Sequence, residues 1–205
     1  MSRPTPAGGP APLSSTDLKR LHRQWRRGTD LRLALVLDGV QNPYNVGALL
    51  RSAAAYNVEA VWLVPPTPGP DHPGVAKTAL GSDRFAPCRT SASGAEAVAQ
   101  ARDKGLATVA IELTAAAEPL FSLRLGQAVC LVLGHESRGV HRDTLRQVDH
   151  VAFLPQLGKV GSLNVAQAGT IALYETARQA WTRNPDSGGE EVRPVEGRRR
   201  PGPEP

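Results

Sequence analysis

Residues 33–51 read Leu-Ala-Leu-Val-Leu-Asp-Gly-Val-Gln-Asn-Pro-Tyr-Asn-Val-Gly-Ala-Leu-Leu-Arg, and the fold is decided here. The apolar run 33–37 has no polar alternation, as a strand buried on both faces requires. Asn42 and Asn45 bracket Pro43, which marks a tight polar turn. A helix is predicted over 46–56, and a second apolar run follows at 58–64. Strand, helix and strand in that order ask for a parallel pair. The rhythm continues downstream. Apolar runs at 107–111, 129–133 and 151–154 are strand candidates, with a further candidate at 84–88. Helical patterns fill 93–104, 141–147 and 165–183, whereas 66–74 (Pro-Thr-Pro-Gly-Pro-Asp-His-Pro-Gly) reads as loop. The expected class is α/β, a mainly parallel sheet with helices on both faces.

The chain has 205 residues, 40% apolar and 21% charged, the profile of one globular domain with tails. There is no run of 18 apolar residues for a membrane span and no apolar segment at the N-terminus for a secretory signal. Two cysteines, Cys88 and Cys130, are too few for a disulfide framework or a four-thiolate zinc site, and a reducing cytoplasmic setting is expected. The five histidines are scattered, and no metal is expected. Of the net charge of +5, most comes from residues 1–30, where Arg3, Lys19, Arg20, Arg23, Arg26 and Arg27 face only Asp17 and Asp30. A short helix is predicted over 17–27, capped by one of Ser15, Thr16 and Asp17 and ended by Gly28. Its stripe of Leu18, Leu21 and Trp25 suits docking on the protein body. Its basic faces suit either a polyanion, nucleic acid first, or plain solvation. Residues 1–14 and 184–205, rich in Pro and Gly, are expected to be disordered tails around a helix at 15–30 and a domain at 31–183.

Neither the dinucleotide glycine fingerprint, the P-loop nor the hydrolase nucleophile elbow is present. Three segments remain, each at the C-terminal end of an expected strand, where open α/β sheets bind ligands. In the first, Asn42, Asn45, Gly47 and Arg51 form either a turn with its cap or a site for phosphate or ribose. In the second, Leu131-Val-Leu-Gly-His-Glu-Ser-Arg-Gly-Val140, Glu136 is either a cap or a partner of Arg51. In the third, 153–168, Gly158 and Gly161 lie in a loop, and Ser162 and Asn164 are cap candidates for the long last helix. That loop suits a small polar ligand as well as a plain connection.

The three segments, in this order and spacing, resemble the three motifs of the SpoU/TrmH-type RNA ribose 2′-O-methyltransferases, within the SPOUT class. Asn42, Pro43, Asn45, Gly47 and Arg51 match the first motif. Gly134, Glu136 and Gly139 match the second, and Pro155, Gly158, Ser162, Leu163, Asn164 and Val165 the third. The likeness covers about 33–180. Gln156, Ala166 and the Tyr56-Asn57 pair depart from common choices, and no catalytic position is lost. The resemblance implies a C-terminal trefoil knot, S-adenosylmethionine as cofactor, and a homodimer whose interface is expected on 164–181. It implies cofactor contacts at Gly134, Leu154, Pro155, Gly158, Ser162 and Leu163. It implies catalytic or positioning roles for Arg51, Asn42, Asn45, Glu136, Ser162 and Asn164, with Glu136 expected to hold the guanidinium of Arg51. A guanidinium with a pKa above about 12 is a poor base, so Arg51 is expected to clamp phosphate and developing alkoxide charge. RNA contacts are expected at Lys19, Arg20, Arg23, Arg26, Arg27 and Arg51.

The compact layout resembles the minimal tRNA-modifying members, which methylate a D-loop guanosine; ribosomal RNA is the alternative substrate. A non-catalytic RNA-binding protein of the same fold predicts a broken motif, and none is broken. A small-molecule or protein methyltransferase gains a little from the lack of a separate RNA-binding domain before the first strand and loses more from the basic helix.

Overall fold

The computed structural model describes residues 12–183. The segments expected to be disordered, 1–14 and 184–205, therefore lie outside the described residues, apart from the irregular Pro12, Leu13 and Ser14. Seven strands form one sheet in the order β3-β2-β1-β6-β4-β7-β5, and every pairing is parallel. They are β1 (Arg32–Asp38), β2 (Ala60–Val64), β3 (Cys88–Thr90), β4 (Ala107–Ile111), β5 (Glu118–Pro119), β6 (Ala128–Gly134) and β7 (His150–Phe153). The helices are α1 (Ser15–Arg27), α2 (Pro43–Ala55), α3 (Pro73–Ala79), α4 (Gly94–Asp103), α5 (Arg142–Leu145) and α6 (Val165–Arg183).

Two-sided burial explains the unbroken apolar strands. Leu33, Leu35 and Leu37 of β1 point into one core with Val46, Leu49 and Leu50 of α2, Val75 of α3 and Leu173 of α6. Ala34 and Val36, the alternate residues, point into a second core with Trp62, Val132 and the Ala97, Val98 and Ala101 face of α4. Helices thus cover both faces, as the all-parallel sheet demands. On α6 the buried positions Ala166, Gly169, Ala172, Leu173, Thr176, Ala177 and Ala180 recur at helical spacing. Most are small, which lets α6 lie close on α2 and the sheet.

Some expectations need correcting. The loop read over 66–74 ends early, because Pro73 opens α3 and the His72 side chain accepts from Gly74 N–H. The candidate strand at 84–88 is instead a 3₁₀ turn, Ser82–Phe85, and the edge strand β3 starts at Cys88. With Arg89 and Thr90 exposed, β3 has no apolar run to betray it. The first helix is capped one residue earlier than expected, by the Ser14 hydroxyl accepting from Asp17 N–H at 3.2 Å. Its apolar stripe does not sink into the body: Leu18, Leu21 and Trp25 remain 42%, 37% and 45% exposed. The Trp25 ring alone is seen to meet an aromatic partner, Trp181 of α6, at 5.1 Å between centroids.

Gly47 carries a different close approach from the ligand contact its motif suggests. A Cβ there would collide with Thr78 Oγ1 and the Val75 carbonyl, where α3 crosses α2. Gly47→Ala should therefore destabilise the fold by about 1–3 kcal/mol through overpacking. Urea unfolding measures this, and an unchanged midpoint would show that α3 yields at no cost.

Candidate active site

The C-terminal ends of β1, β4, β6 and β7 lie side by side, and the loops leaving them meet. Asn42 caps α2, its side chain accepting from Tyr44 N–H at 2.9 Å. Within the first turn of that helix, Asn45 donates from Nδ2 to Glu136 Oε1 at 3.0 Å and accepts at Oδ1 from Asn164 Nδ2, also at 3.0 Å. Asn164 Oδ1 in turn accepts from Ala166 N–H at 2.9 Å and Gln167 N–H at 3.3 Å, which caps α6. One asparagine thus ties the loop after β6 to the start of the last helix. The orientation of each amide follows from its partners: a carboxylate needs a donor, and a helix N-terminus needs an acceptor.

Glu136 is fully engaged within this cluster. Besides Asn45 it accepts from Asn42 N–H at 3.0 Å and Gln41 N–H at 3.2 Å. Burial opposes its charged form, but the hydrogen bonds from Asn45 and from the backbone N–H groups of Glu136, Asn42 and Gln41 outweigh it. They hold the carboxyl below its ordinary value. The neighbouring His135 accepts at Nδ1 from Ser137 N–H, so its Nε2–H is the donor to Gln41 Oε1 at 3.1 Å.

A tight turn sets this geometry. His135 and Gly139 exchange backbone hydrogen bonds of 3.0 and 2.8 Å, and Gly139 has φ +69°. A side chain at Gly139 would run into the Glu112 carboxylate, whose Oε2 accepts from Val140 N–H at 2.9 Å. Glu112, just past β4, belongs to no motif recognised in the sequence. The short apolar run before it gave its only hint.

These loops enclose a cavity of about 740 Å³. Gly134, Glu136, Leu154, Gly158, Ser162, Leu163 and Asn164 line it; Pro155 lies outside the lining, between Leu154 and Gln156. Asn42 and Asn45 stand behind Glu136 rather than in the wall. Arg51 is elsewhere. Six residues beyond Asn45, it is about 9 Å further along α2 and on another face, and it lines a second cavity with Trp25, Arg26, Tyr56 and Trp181. Glu136 is therefore held by Asn45 and backbone, not by Arg51 as expected within one chain. Lys19, Arg20, Arg23, Arg26 and Arg27 are all exposed on α1, and none has an ion-pair partner among the described residues. Among those residues, too, no group of three or more His, Cys, Asp and Glu is placed to hold a metal ion, and no helix is long and apolar enough to cross a membrane.

The lowered Glu136 pKa has a consequence for stability. The charged form is favoured in the folded state, so its contribution is fully present above the unfolded carboxylate value of about 4.3. It is lost as pH falls through the lower folded value. Glu136→Gln should lower the urea midpoint at pH 7, and the gap from wild type should narrow in acid. A gap independent of pH would mean that shape, not charge, organises the turn.

Comparison with known proteins fits this geometry. The 23S rRNA (guanosine-2′-O-)-methyltransferase of Xylella fastidiosa is 37% identical over 147 residues, covering 72% of this chain and 59% of that protein. The tRNA (guanosine(18)-2′-O)-methyltransferase of Escherichia coli K12 is 31% identical over 157 residues, covering 75% and 66%. The chain thus spans about three-fifths of the length of these relatives. An AdoMet-bound rRNA methyltransferase from Sinorhizobium meliloti superposes with a TM-score of 0.65 at 27% identity, over 72% of this chain and 56% of the other. The trefoil knot belongs to the fold shared with such neighbours and is implied by it. The model of the SpoU rRNA Methylase family matches residues 32–174, from the first strand through both cavity loops into the last helix, and to that family the chain belongs.

Proposed function

We propose that this protein transfers a methyl group from S-adenosylmethionine to a ribose 2′-hydroxyl of structured RNA, with tRNA as the leading substrate and a D-loop guanosine as target. The Asn164–Asn45–Glu136 relay carries the reading, because it joins all three motif loops at the rim of one cavity.

The cavity suits the cofactor by its own chemistry. About 740 Å³ is ample for a nucleoside with an amino-acid tail. Leu133, Phe153, Leu154 and Leu163 offer apolar walls, and among the described lining residues the carboxylates of Glu112 and Glu136 outnumber the one guanidinium, Arg138. Gly134, Leu154 and Leu163 would hold the adenosine end, while Pro155, Gly158 and Ser162 shape the loop over it. When bound, S-adenosylmethionine supplies a methyl already activated on a sulfonium. The protein must then align a ribose oxygen at about 3–3.5 Å from that carbon and ease the loss of its proton. Asn42, Asn45 and Asn164 keep the rim in place, with Ser162 at the cavity wall. The Arg51 guanidinium clamps the adjacent phosphate and stabilises developing alkoxide charge.

Within one chain Arg51 faces away from this cavity, so we place it at the cavity of a second subunit in a homodimer. The exposed face of α6 supports that arrangement: Ile171 and Tyr174, one turn apart, are 46% and 51% exposed. Residues 31–183 form the methyltransferase domain, and the helix at 15–30 contacts RNA through Lys19, Arg20, Arg23, Arg26 and Arg27. The setting we propose is the reducing cytoplasm. Cys88 and Cys130 are free, and burial pushes the Cys88 thiol up to about 11, leaving it unreactive. Ribosomal RNA is the second reading, favoured by the higher identity to the Xylella 23S rRNA enzyme.

The test is methyl transfer from labelled S-adenosylmethionine to total tRNA and, separately, total rRNA, each from a host lacking this gene. A 2′-O-methylated nucleoside in the tRNA pool is expected; one in the rRNA pool selects the second reading. Label on a base overturns the ribose assignment. Cofactor binding without transfer to either pool points to a non-catalytic RNA-binding protein. Arg51→Lys should lower turnover by about 10²-fold or more with cofactor affinity unchanged. Near-normal turnover would remove the bidentate clamp.

A further inference from the structure

The cavity on whose wall Arg51 lies has a composition of its own. It measures about 570 Å³ and is framed by α1, the end of α2 and the end of α6. Three aromatic rings, Trp25, Tyr56 and Trp181, share its wall with the cations Arg26 and Arg51 and with His22. Among its described lining residues there is no Asp or Glu. Neither arginine has an ion-pair partner among the described residues. Thr29, Asn57 and Ser82 add hydroxyl and amide groups. Flat apolar surfaces beside uncompensated guanidinium groups match one kind of ligand well, a nucleobase carrying its phosphate. An apolar protein segment would leave both charges unanswered.

We propose that this cavity is an RNA subsite that takes one unpaired nucleotide, its base against Trp25 and Trp181 and its phosphate against Arg26 and Arg51. The inference rests on the function proposed above and deepens it. If Arg51 serves a reacting ribose, a pocket on whose wall it lies receives a nucleotide close along the strand from the methylated one. Helix α1 supplies the movable wall: none of its residues is buried, and the Trp25–Trp181 contact is what the structure shows pinning it to α6. Its role then exceeds that of a basic tether, since Trp25 reads an unstacked base while the arginines read only backbone.

Tryptophan fluorescence of the full chain tests this directly. The third tryptophan, Trp62, is fully buried and donates from Nε1 to Gln100, so RNA-dependent quenching reports on Trp25 and Trp181. Single-stranded hexauridylate should quench that emission in a salt-sensitive way, and a duplex RNA should not. Trp25→Ala should weaken hexauridylate binding about 5- to 150-fold, the range for one lost base–aromatic stack. Because Trp25→Ala also loosens α1, Ala55 on the cavity wall provides a second probe. Ala55→Glu should weaken binding and Ala55→Lys should not, a contrast that loss of structure cannot produce.

Equal quenching by duplex, or an affinity indifferent to both Trp25→Ala and Ala55→Glu, would overturn the subsite. So would RNA without effect on emission together with an Ala55→Glu variant that sediments as a smaller species, since a second copy of the chain would then fill the cavity. The two readings fail separately. Quenching with the expected variant effects but no methyl transfer keeps the subsite and removes the enzyme. Transfer with a KM for RNA unmoved by either substitution keeps the enzyme and removes the subsite.

Discussion

Asn45 donates to Glu136 and accepts from Asn164, and those two hydrogen bonds hold together loops that lie 91 and 119 residues from it along the chain. Each partner has its own structural duty. Glu136 gathers the backbone N–H groups of Gln41 and Asn42, and Asn164 caps a 19-residue helix. A hydrogen bond to a charged group is worth about 1.5–3 kcal/mol. Removing Asn45 would take one donor from Glu136, which keeps the Gln41 and Asn42 N–H groups, and the acceptor from Asn164 Nδ2, so the cavity wall at Glu136 and Asn164 would lose its common anchor.

Helix α2 distributes the chemistry between two places. Its N-terminal end, with the cap Asn42 and Asn45, backs the Glu136 side of the larger cavity, whereas its second half, with Arg51, Ala54 and Ala55, lines the smaller one. The separation, about 9 Å along the axis, is set by the pitch of the helix. A single chain thus presents a complete pocket without the arginine and an arginine without its pocket. The subunit pairing proposed above would reunite them.

Legibility in the sequence varied with burial. Strands β1, β2 and β6 announced themselves because both faces are covered, so their central residues had to be apolar without interruption, and in β4 only Thr108, paired with Asp149, breaks the run. Helix α6 showed because its small residues repeat at helical spacing. The edge strands β3 and β5 did not, since half-exposed short strands such as Arg89-Thr90 and Glu118-Pro119 have no such pattern. Helix α3 hides behind the prolines of the loop before it: Pro73 reads as one more of them, although proline suits the first turn of a helix. Glu112 has no local signal, because nothing in the sequence around it distinguishes a carboxylate that accepts Val140 N–H from one that faces water.

The sequence by itself determined the fold class and the family, because two-sided burial writes itself into every strand and because three loops at strand ends carry a recognisable order of Asn, Glu and Gly. Which of those residues touch was decided only by the tertiary structure. Hydrogen bonding needs partners within about 3 Å, and positions 45, 136 and 164 come that close only when β1, β6 and β7 have settled into one sheet. The same folding sets Arg51, in the second half of its helix, among Trp25, Tyr56 and Trp181. Linear spacing cannot express that environment, since its members come from three helices brought together by packing alone.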